Sequence, residues 1–405
     1  MAEESVVPDD TSSTETAEGM NDPNVSATVN TLINEGHGTH FILNFSLKLL
    51  KYMLTDEKNF VVSPLMSLCS VGAIALGTNG STRDELTKAT MNVVAGNNSD
   101  EAKLMDRIKI IFTSILKDKL DYTKSPSYLY VSNDFKVSQS YKEFANHYFG
   151  VTVNQIAFSD KAVAEINERA LNDTENNVKS VIRELAEGIQ MLVVNCTFFC
   201  GIWSQGFWEK KQIPFHNFDD STSSVDFMVG YGKFKMGFND KYRCHIIELP
   251  YNIDSTKMVI LMPEQKVDFK IFLGTTSSVT EFTNLISETQ LTFTDAQVWL
   301  PKFRTEFLVS LKPFYRSIGV DEAFDSTKAD FSRTVEPGMA SNGLFLGELV
   351  EKIVFEVKKE GKRTFRAAEL PYNEIFKCNR SFLFFVLTEY KHNQVILLQG
   401  AIRLL

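Results

Sequence analysis

Histidine and cysteine are the residue types of this chain most able to do chemistry, as catalytic groups or as metal ligands. The chain has six histidines and five cysteines in 405 residues. None of the histidines lies in a recognisable nucleophile-elbow or cysteine–histidine context, which an activated nucleophile needs. The common glycine-rich phosphate-binding motifs do not occur in the sequence either. These observations favour a protein that is not an enzyme.

Two pairs of residues have spacings that resemble those of metal ligands. His37 and His40 are three positions apart, but the glycines beside His37 predict a loop, and a solvated linker is the better interpretation. Cys196 and Cys200 are four positions apart in a predicted strand, where about 13 Å would separate them. We interpret both as core thiols, and the sequence predicts no metal and no cofactor.

The N-terminal segment, residues 1–36, is acidic and rich in Ser and Thr, which predicts a flexible tail before a domain at 37–405. The first thirty residues do not resemble a secretory signal, and no stretch of eighteen apolar residues predicts a membrane span. The five cysteines are odd in number and scattered, as reduced thiols would be. We expect a cytoplasmic location, with leaderless release to the extracellular space as the alternative.

The charge distribution bears on possible partners. A net charge of −9 and a pI near 5.4 argue against nucleic-acid binding, which needs a positive surface. One basic cluster stands out, and it is either a weak polyanion site, a protease-sensitive loop or a solvated run. Its members are Lys358, Lys359, Lys362, Arg363 and Arg366.

The elements that must position these residues are predicted from periodicity. Apolar residues at helical spacing predict helices at 41–54 and 64–76, the second beginning at Ser63-Pro64. The apolar run 191–199 predicts a fully buried strand. Further strands are predicted at 244–249, 258–262, 291–303, 353–357 and 382–387. About two dozen residues without periodicity join the last two strands, and a connector of that length is normally functional.

Several segments, in order from Phe41 to the C-terminus, resemble the serpin family. The most specific is FKCNRSFLFFV at 376–386, which resembles the C-terminal signature of the family. Further matching segments are NFVVSPL at 59–65, GTNGSTRDEL at 77–86, VNCTFF at 194–199 followed by GIW, ELPY at 248–251, LPKF at 300–303 and ADFS at 329–332. The resemblance implies a mixed α+β fold with three β-sheets, eight or nine helices and an exposed reactive loop at about 361–376.

The resemblance also assigns residues to the reactive loop and to the region that controls opening of the main sheet. The loop hinge would comprise Glu360, Gly361, Lys362, Arg363 and Thr364. Two counts of the loop give two candidate scissile bonds, Leu370–Pro371 and Ile375–Phe376. The sheet-opening region would contain Ser63, Met66, Asn195, Trp203 and Glu351. Glu351 stands where the family often has His, and Met66 stands where it usually has Ser.

The loop departs from the pattern of inhibitory serpins, in which the cleaved loop inserts into the main sheet as a central strand. In the family register the inward residues would be Lys362, Thr364, Arg366 and Ala368, and a buried unpaired cation costs several kcal/mol. Gly361 and Phe376 are fifteen residues apart, whereas the family uses about twenty, a deficit of about 17 Å at roughly 3.3 Å per residue. The sequence therefore favours a monomeric serpin that does not inhibit but binds an unknown protein ligand. The alternative is an inhibitor of serine, or also cysteine, proteases by covalent trapping or by reversible loop binding.

Overall fold

The computed structural model describes residues 40–94, 123–253, 255–264, 266, 269–274, 276, 278–286, 291–361, 374–390 and 393–405. The N-terminal tail and loop residues 362–373 lie outside this described part. The described residues all belong to one unit of the chain, 39–405.

Eight α-helices and one short 3₁₀-helix occur among the described residues. Helix α2 illustrates why they begin where they do. The Ser63 hydroxyl accepts a hydrogen bond from the Met66 amide (3.3 Å), and Pro64 occupies the first turn, as predicted. The helices are α1 His40–Met53, α2 Pro64–Gly77, α3 Gly80–Val94, α4 Gln139–Phe149, α5 Asp160–Asp173, α6 Phe269–Gly274, α7 Val279–Ile286 and α8 Lys312–Ser317, with the 3₁₀-helix at Glu322–Phe324.

The described residues form fifteen strands. In chain order they are β1 Phe60–Val62, β2 Thr123–Lys124, β3 Ser127–Ser132, β4 Val151–Ile156, β5 Met191–Phe199, β6 Glu209–His216, β7 Thr222–Asn239, β8 Cys244–Pro250, β9 Thr256–Pro263, β10 Thr292–Pro301, β11 Phe303–Ser310, β12 Leu346–Val357, β13 Glu374–Lys377, β14 Phe382–Tyr390 and β15 Asn393–Ile402.

A six-stranded sheet has the order β11-β12-β5-β3-β4, with β2 also paired to β5. At its centre β5 and β12 run in parallel and pair directly, with no strand between them, from Leu346–Met191 to Phe355–Phe199. Alternate residues of β5 face the main core, and the others pack beneath α5 in a second apolar cluster. This seam between β5 and β12 is therefore buried on both faces.

The larger, nine-stranded sheet has the order β1-β15-β14-β9-β8-β7-β10-β13, with β6 also on β7. Strand β7 has 18 residues and belongs to two portions of this sheet. Its first part pairs with β6 and β10, and its end pairs with β8. The predicted mixed α+β fold is confirmed. Three sheets were expected, but continuous pairing through β7 joins the described strands in two.

Pro301, which interrupts the pattern of the predicted strand 291–303, ends β10, and β11 begins at Phe303. Two sequence-based assignments differ from the structure. The connector before residue 382 was predicted to have no regular structure, yet it contains β13, which pairs in parallel with β10. His40 begins helix α1 and is not part of a loop. The strand β13 is only four residues long, which is too short for a periodic pattern.

Candidate functional site

A buried polar cluster lies in the seam between β5 and β12, and its first member is Glu351 of β12. The Glu351 side chain is 1% exposed, and its Oε2 accepts a hydrogen bond from the Ser63 amide at 3.1 Å. The Ser63 hydroxyl in turn donates to the Leu397 carbonyl at 2.8 Å. Among the described residues, Oε1 of Glu351 has no hydrogen-bond partner. The seam thus holds a carboxyl group that is only half satisfied.

Asn195 of β5 is the second member of this cluster and is the register partner of Glu351 across the seam. Its Oδ1 accepts hydrogen bonds from the hydroxyls of Ser70 (3.0 Å) and Ser127 (2.7 Å). Its Nδ2 finds no partner in the described part of the chain. A buried polar atom without a partner costs about 1–3 kcal/mol. Oε1 of Glu351 and Nδ2 of Asn195 therefore both lower the stability of the closed seam at the same register position.

Burial raises the pKa of the Glu351 carboxyl from 4.5 to about 8, and the Ser63 hydrogen bond opposes this only in part. The titratable groups that sense Glu351 are the Tyr315 phenol of α8 and the Cys196 thiol of β5, and burial raises the pKa of both. The described surroundings thus bring no cation to Glu351. At neutral pH the carboxyl is mostly protonated, and at alkaline pH it carries a buried charge.

The base of the predicted reactive loop is bound at the other end of β5 by Trp203. The Trp203 amide donates to the Glu360 carbonyl at 3.0 Å, and the indole Nε1 donates to the Lys358 carbonyl at 2.6 Å. The indole ring is 2% exposed and stacks on the Tyr251 ring at 4.4 Å. These contacts fix the chain at the point where the loop leaves the sheet.

Gly361 completes this attachment because no larger residue fits there. It forms a β-bridge with Trp203, and a Cβ atom at Gly361 would lie 2.5 Å from the Cα of Gly206. The three nearest atoms are Cα and N of Gly206 and the carbonyl oxygen of Trp203; all three belong to the backbone, so none of them can rotate away. The hinge therefore requires glycine at this position for close packing.

We expect Trp203→Phe to loosen the loop base. The variant loses the hydrogen bond to Lys358 and part of the stacking on Tyr251, which together are worth about 1–3 kcal/mol. The measurements are the melting temperature and the rate of limited proteolysis between residues 358 and 374. Trp208→Phe is the matched control, because Trp208 is 39% exposed. Equal proteolysis rates in the two variants would contradict a specific role of Trp203 in holding the loop.

The structure brings four of the five predicted sheet-opening residues together. Ser63, Asn195 and Glu351 lie in the cluster described above, and Met66 contacts it through its amide, which donates to the Ser63 hydroxyl. Trp203 lies at the end of the seam, at the base of the predicted loop. The sequence interpretation missed Ser70 and Ser127, which both bind Asn195. Ser70 lies seven residues after Ser63 on α2, a spacing that places both on one helix face and could have identified it.

The predicted loop residues are only partly within the described structure. Glu360 and Gly361 lie at the hinge, while Lys362, Arg363, Thr364, Arg366, Leu370 and Pro371 lie outside the described residues. Ile375 and Phe376 belong to β13, where Ile375 is 59% exposed and Phe376 is 3% exposed. A protease needs an extended, accessible bond, so pairing of β13 with β10 disfavours cleavage at Ile375–Phe376.

The basic cluster at the loop base is partly neutralised. Lys358 forms an ion pair with Glu356 at 2.9 Å, which raises the pKa of Lys358, and Lys359 is exposed. The other three members of the cluster, Lys362, Arg363 and Arg366, lie outside the described residues. The described part of the chain contains no group of three His, Cys, Asp or Glu side chains placed to hold a metal ion.

None of the five cysteines forms a disulfide. Four of them are buried, and burial raises the pKa of each thiol, to about 12 for Cys244. These four are Cys69, Cys196, Cys244 and Cys378. The prediction that Cys200 is also a core thiol is wrong, because the residue follows the end of β5 and is only partly buried.

Comparison with known proteins agrees with this architecture. The family described as Serpin (serine protease inhibitor) matches residues 41–403. Serpin B8 of Homo sapiens is 24% identical over 372 residues, covering 87% of this chain and 94% of that protein. Intracellular coagulation inhibitor 2 of Tachypleus tridentatus is 25% identical over 380 residues, covering 89% of each. The structure of native protease nexin-1 with heparin superposes with a TM-score of 0.79 and 22% identity, covering 92% of this chain and all of the other.

The chain therefore belongs to the serpin family, and it is not an enzyme. No helix in the described residues is long and apolar enough to cross a membrane.

Proposed function

We propose that this serpin binds a protein partner and does not trap proteases covalently. The observation that carries the proposal is the packing of the upper seam, the end of the β5–β12 pairing at Phe199 and Phe355, where an inserted loop would begin. There the core-facing neighbours Phe199 and Phe355 are 1% and 0% exposed and stack at 5.5 Å. An inserted loop would bring Lys362 and Arg366 into the seam on either side of this apolar pair, and each unpaired cation would cost several kcal/mol.

The protease panel is the first test of this proposal. The native chain is incubated with trypsin-, chymotrypsin-, elastase- and papain-like proteases, followed by denaturing gels and thermal melts. We expect cleavage between residues 361 and 374 without a complex stable to denaturation, and without a large rise in melting temperature. A covalent complex with any protease of the panel would refute the proposal and identify the target class.

A second candidate function, inhibition by loop insertion, is favoured by Glu351. Counting from Gly361 in an extended strand, Arg366 would reach the level of Thr197, and Ala368 that of Asn195 and Glu351. Arg366 would then lie about 7 Å along the strand from Glu351, within reach of a guanidinium group. An ion pair with the unpartnered Oε1 would offset the burial of one cation. The related inhibitor of Tachypleus tridentatus adds weight to this candidate.

We also propose a weak polyanion contact and a cytoplasmic location for this protein. Lys358 and Lys359 with Lys362, Arg363 and Arg366 would give a polyanion a weak contact at the loop base, and the protease nexin-1 structure contains heparin. Retention on heparin should fall on charge reversal at Lys359, which is exposed.

Four buried thiols suit a reducing compartment, and one relative is named an intracellular inhibitor. Cell fractionation tests the proposed cytoplasmic location.

A further inference from the structure

A cavity of about 320 Å³ lies at one end of the larger sheet. It is bounded by the turn between β6 and β7, by the segment that follows β9, and by the residues between β13 and β14. The parallel bridge between His216 and Arg380 joins two of these walls. None of its lining residues belongs to the six-stranded sheet, so the cavity is separate from the seam and from the hinge. Its volume is within the range of small-molecule sites.

The lining of this cavity carries more positive than negative groups. The cations Lys266 and Arg380 line it, and Asp220 is the only acidic residue among its described lining residues. Asp220 forms an ion pair with Lys266 at 2.7 Å, which leaves Arg380 without a carboxylate from the lining.

Arg380 has a buried group that lacks a partner. Its Nη1 donates to the Glu264 carbonyl, but its Nε is buried and has no hydrogen-bond partner within the described part of the chain. A guanidinium group donates well to two oxygens of one carboxylate or sulfonate. Arg380 is partly exposed and lines the cavity, so a bound anion would contact the outer nitrogens of its guanidinium group and not the buried Nε.

Two phenylalanine rings supply an apolar wall beside these cations. Phe218 and Phe269 line the cavity. Two cations lie near the Phe218 ring: Nζ of Lys266 is 5.2 Å from the ring centroid, and Cζ of Arg403 is 5.4 Å away. These contacts hold the ring in place, and a flat apolar group can pack against it. The cavity thus offers a charged group and a rigid aromatic surface to the same ligand.

We propose that this cavity is a binding site for a small aromatic anion, whose carboxylate or sulfonate contacts Arg380 and Lys266 while its ring packs on Phe218. The proposal is independent of the reactive loop and of whether the protein inhibits proteases.

The test compares naphthalene-1-sulfonate with the uncharged naphthalene-1-methanol by isothermal titration of the full native chain. We expect the sulfonate to bind at one site per chain. The alcohol should bind with an affinity lower by at least about tenfold, because only the sulfonate pairs with the cations. Lys266→Gln and Arg380→Gln should each weaken sulfonate binding by about tenfold. Arg243→Gln is the matched control, since Arg243 is exposed and pairs with Glu264 outside the cavity.

Three results would overturn the proposal. They are equal affinities for the sulfonate and the alcohol, unchanged sulfonate affinity in Lys266→Gln, and no saturable sulfonate binding up to about 1 mM. If Arg380→Gln fails to fold, the Lys266 variant still decides, because the Lys266 side chain is 47% exposed and its replacement leaves the fold intact.

Discussion

Replacing Glu351 with Gln is expected to raise the melting temperature of the native protein strongly at alkaline pH. Burial moves the pKa of Glu351 from 4.5 to about 8, so the folded state resists the ionisation that the unfolded chain undergoes freely. By linkage this difference lowers the free energy of unfolding by about 5 kcal/mol at pH 8 and above, as an upper limit. Gln keeps the acceptor for Ser63 without the charge. The expected gain is about 10 °C at most.

The gain should depend on pH in a defined direction. Below pH 4.5 the carboxyl is protonated in both states, so Glu351→Gln should have no advantage. Between pH 4.5 and about 8 the unfolded state binds fewer protons than the folded state, and the wild-type protein loses stability as the pH rises. Above pH 8 the difference should stay constant.

Thermal melts of both proteins from pH 4 to 9 measure this dependence. Glu356→Gln on the same strand is the control, since Glu356 faces the opposite side and pairs with Lys358. It should show no gain at any pH. Parallel curves for wild type and Glu351→Gln across the range would show that Glu351 does not titrate as inferred.

Replacing Lys362 with Thr and Arg366 with Ala is expected to stabilise the loop-cleaved protein by at least several kcal/mol. In the cleaved wild type both cations would have to enter the seam on either side of the buried pair Phe199 and Phe355, whereas Thr and Ala can be buried there. The melting temperature after cleavage should rise by about 10 °C relative to the cleaved wild type. An unchanged melting temperature would mean that burial of these two charges does not limit insertion.

The single change Arg366→Ala separates the two proposed functions when it is made with and without Glu351→Gln. If the loop is excluded by its cations, Arg366→Ala stabilises the cleaved protein in both backgrounds. If Arg366 pairs with Glu351 on insertion, Arg366→Ala destabilises the cleaved protein only where Glu351 is present. The coupling free energy from this double-mutant cycle decides between them.

The sequence predicted those elements whose signals are local. Helix α2 follows from Ser63-Pro64 and the apolar residues after them, and β5 follows from an unbroken apolar run. Strand β7 was not predicted, because its polar and apolar residues alternate irregularly over two differently packed portions. Its role in joining those portions depends on pairing with distant strands, which no local pattern encodes.

For the site, family resemblance pointed to the residues but not to their unsatisfied hydrogen-bonding groups. It named Glu351 and Asn195 as neighbours of the sheet opening, and the structure pairs them in register. The half-satisfied condition of both side chains depends on the positions of Ser63 and Ser70, at the start of and within helix α2, and of Ser127 in the distant strand β3. Such a condition is a property of packing, and single-residue identities do not contain it.

The distribution of thiols makes this protein suitable for spectroscopy without any mutation. Four cysteines are buried, whereas Cys200 is partly exposed and lies three residues from Trp203. Burial also raises the pKa of Cys200, so maleimide labelling should be slow but selective for this one position. A fluorophore that accepts energy from tryptophan, attached there, would report movement of the loop base in real time. Opening of the upper seam could then be followed as a change in fluorescence on protease addition.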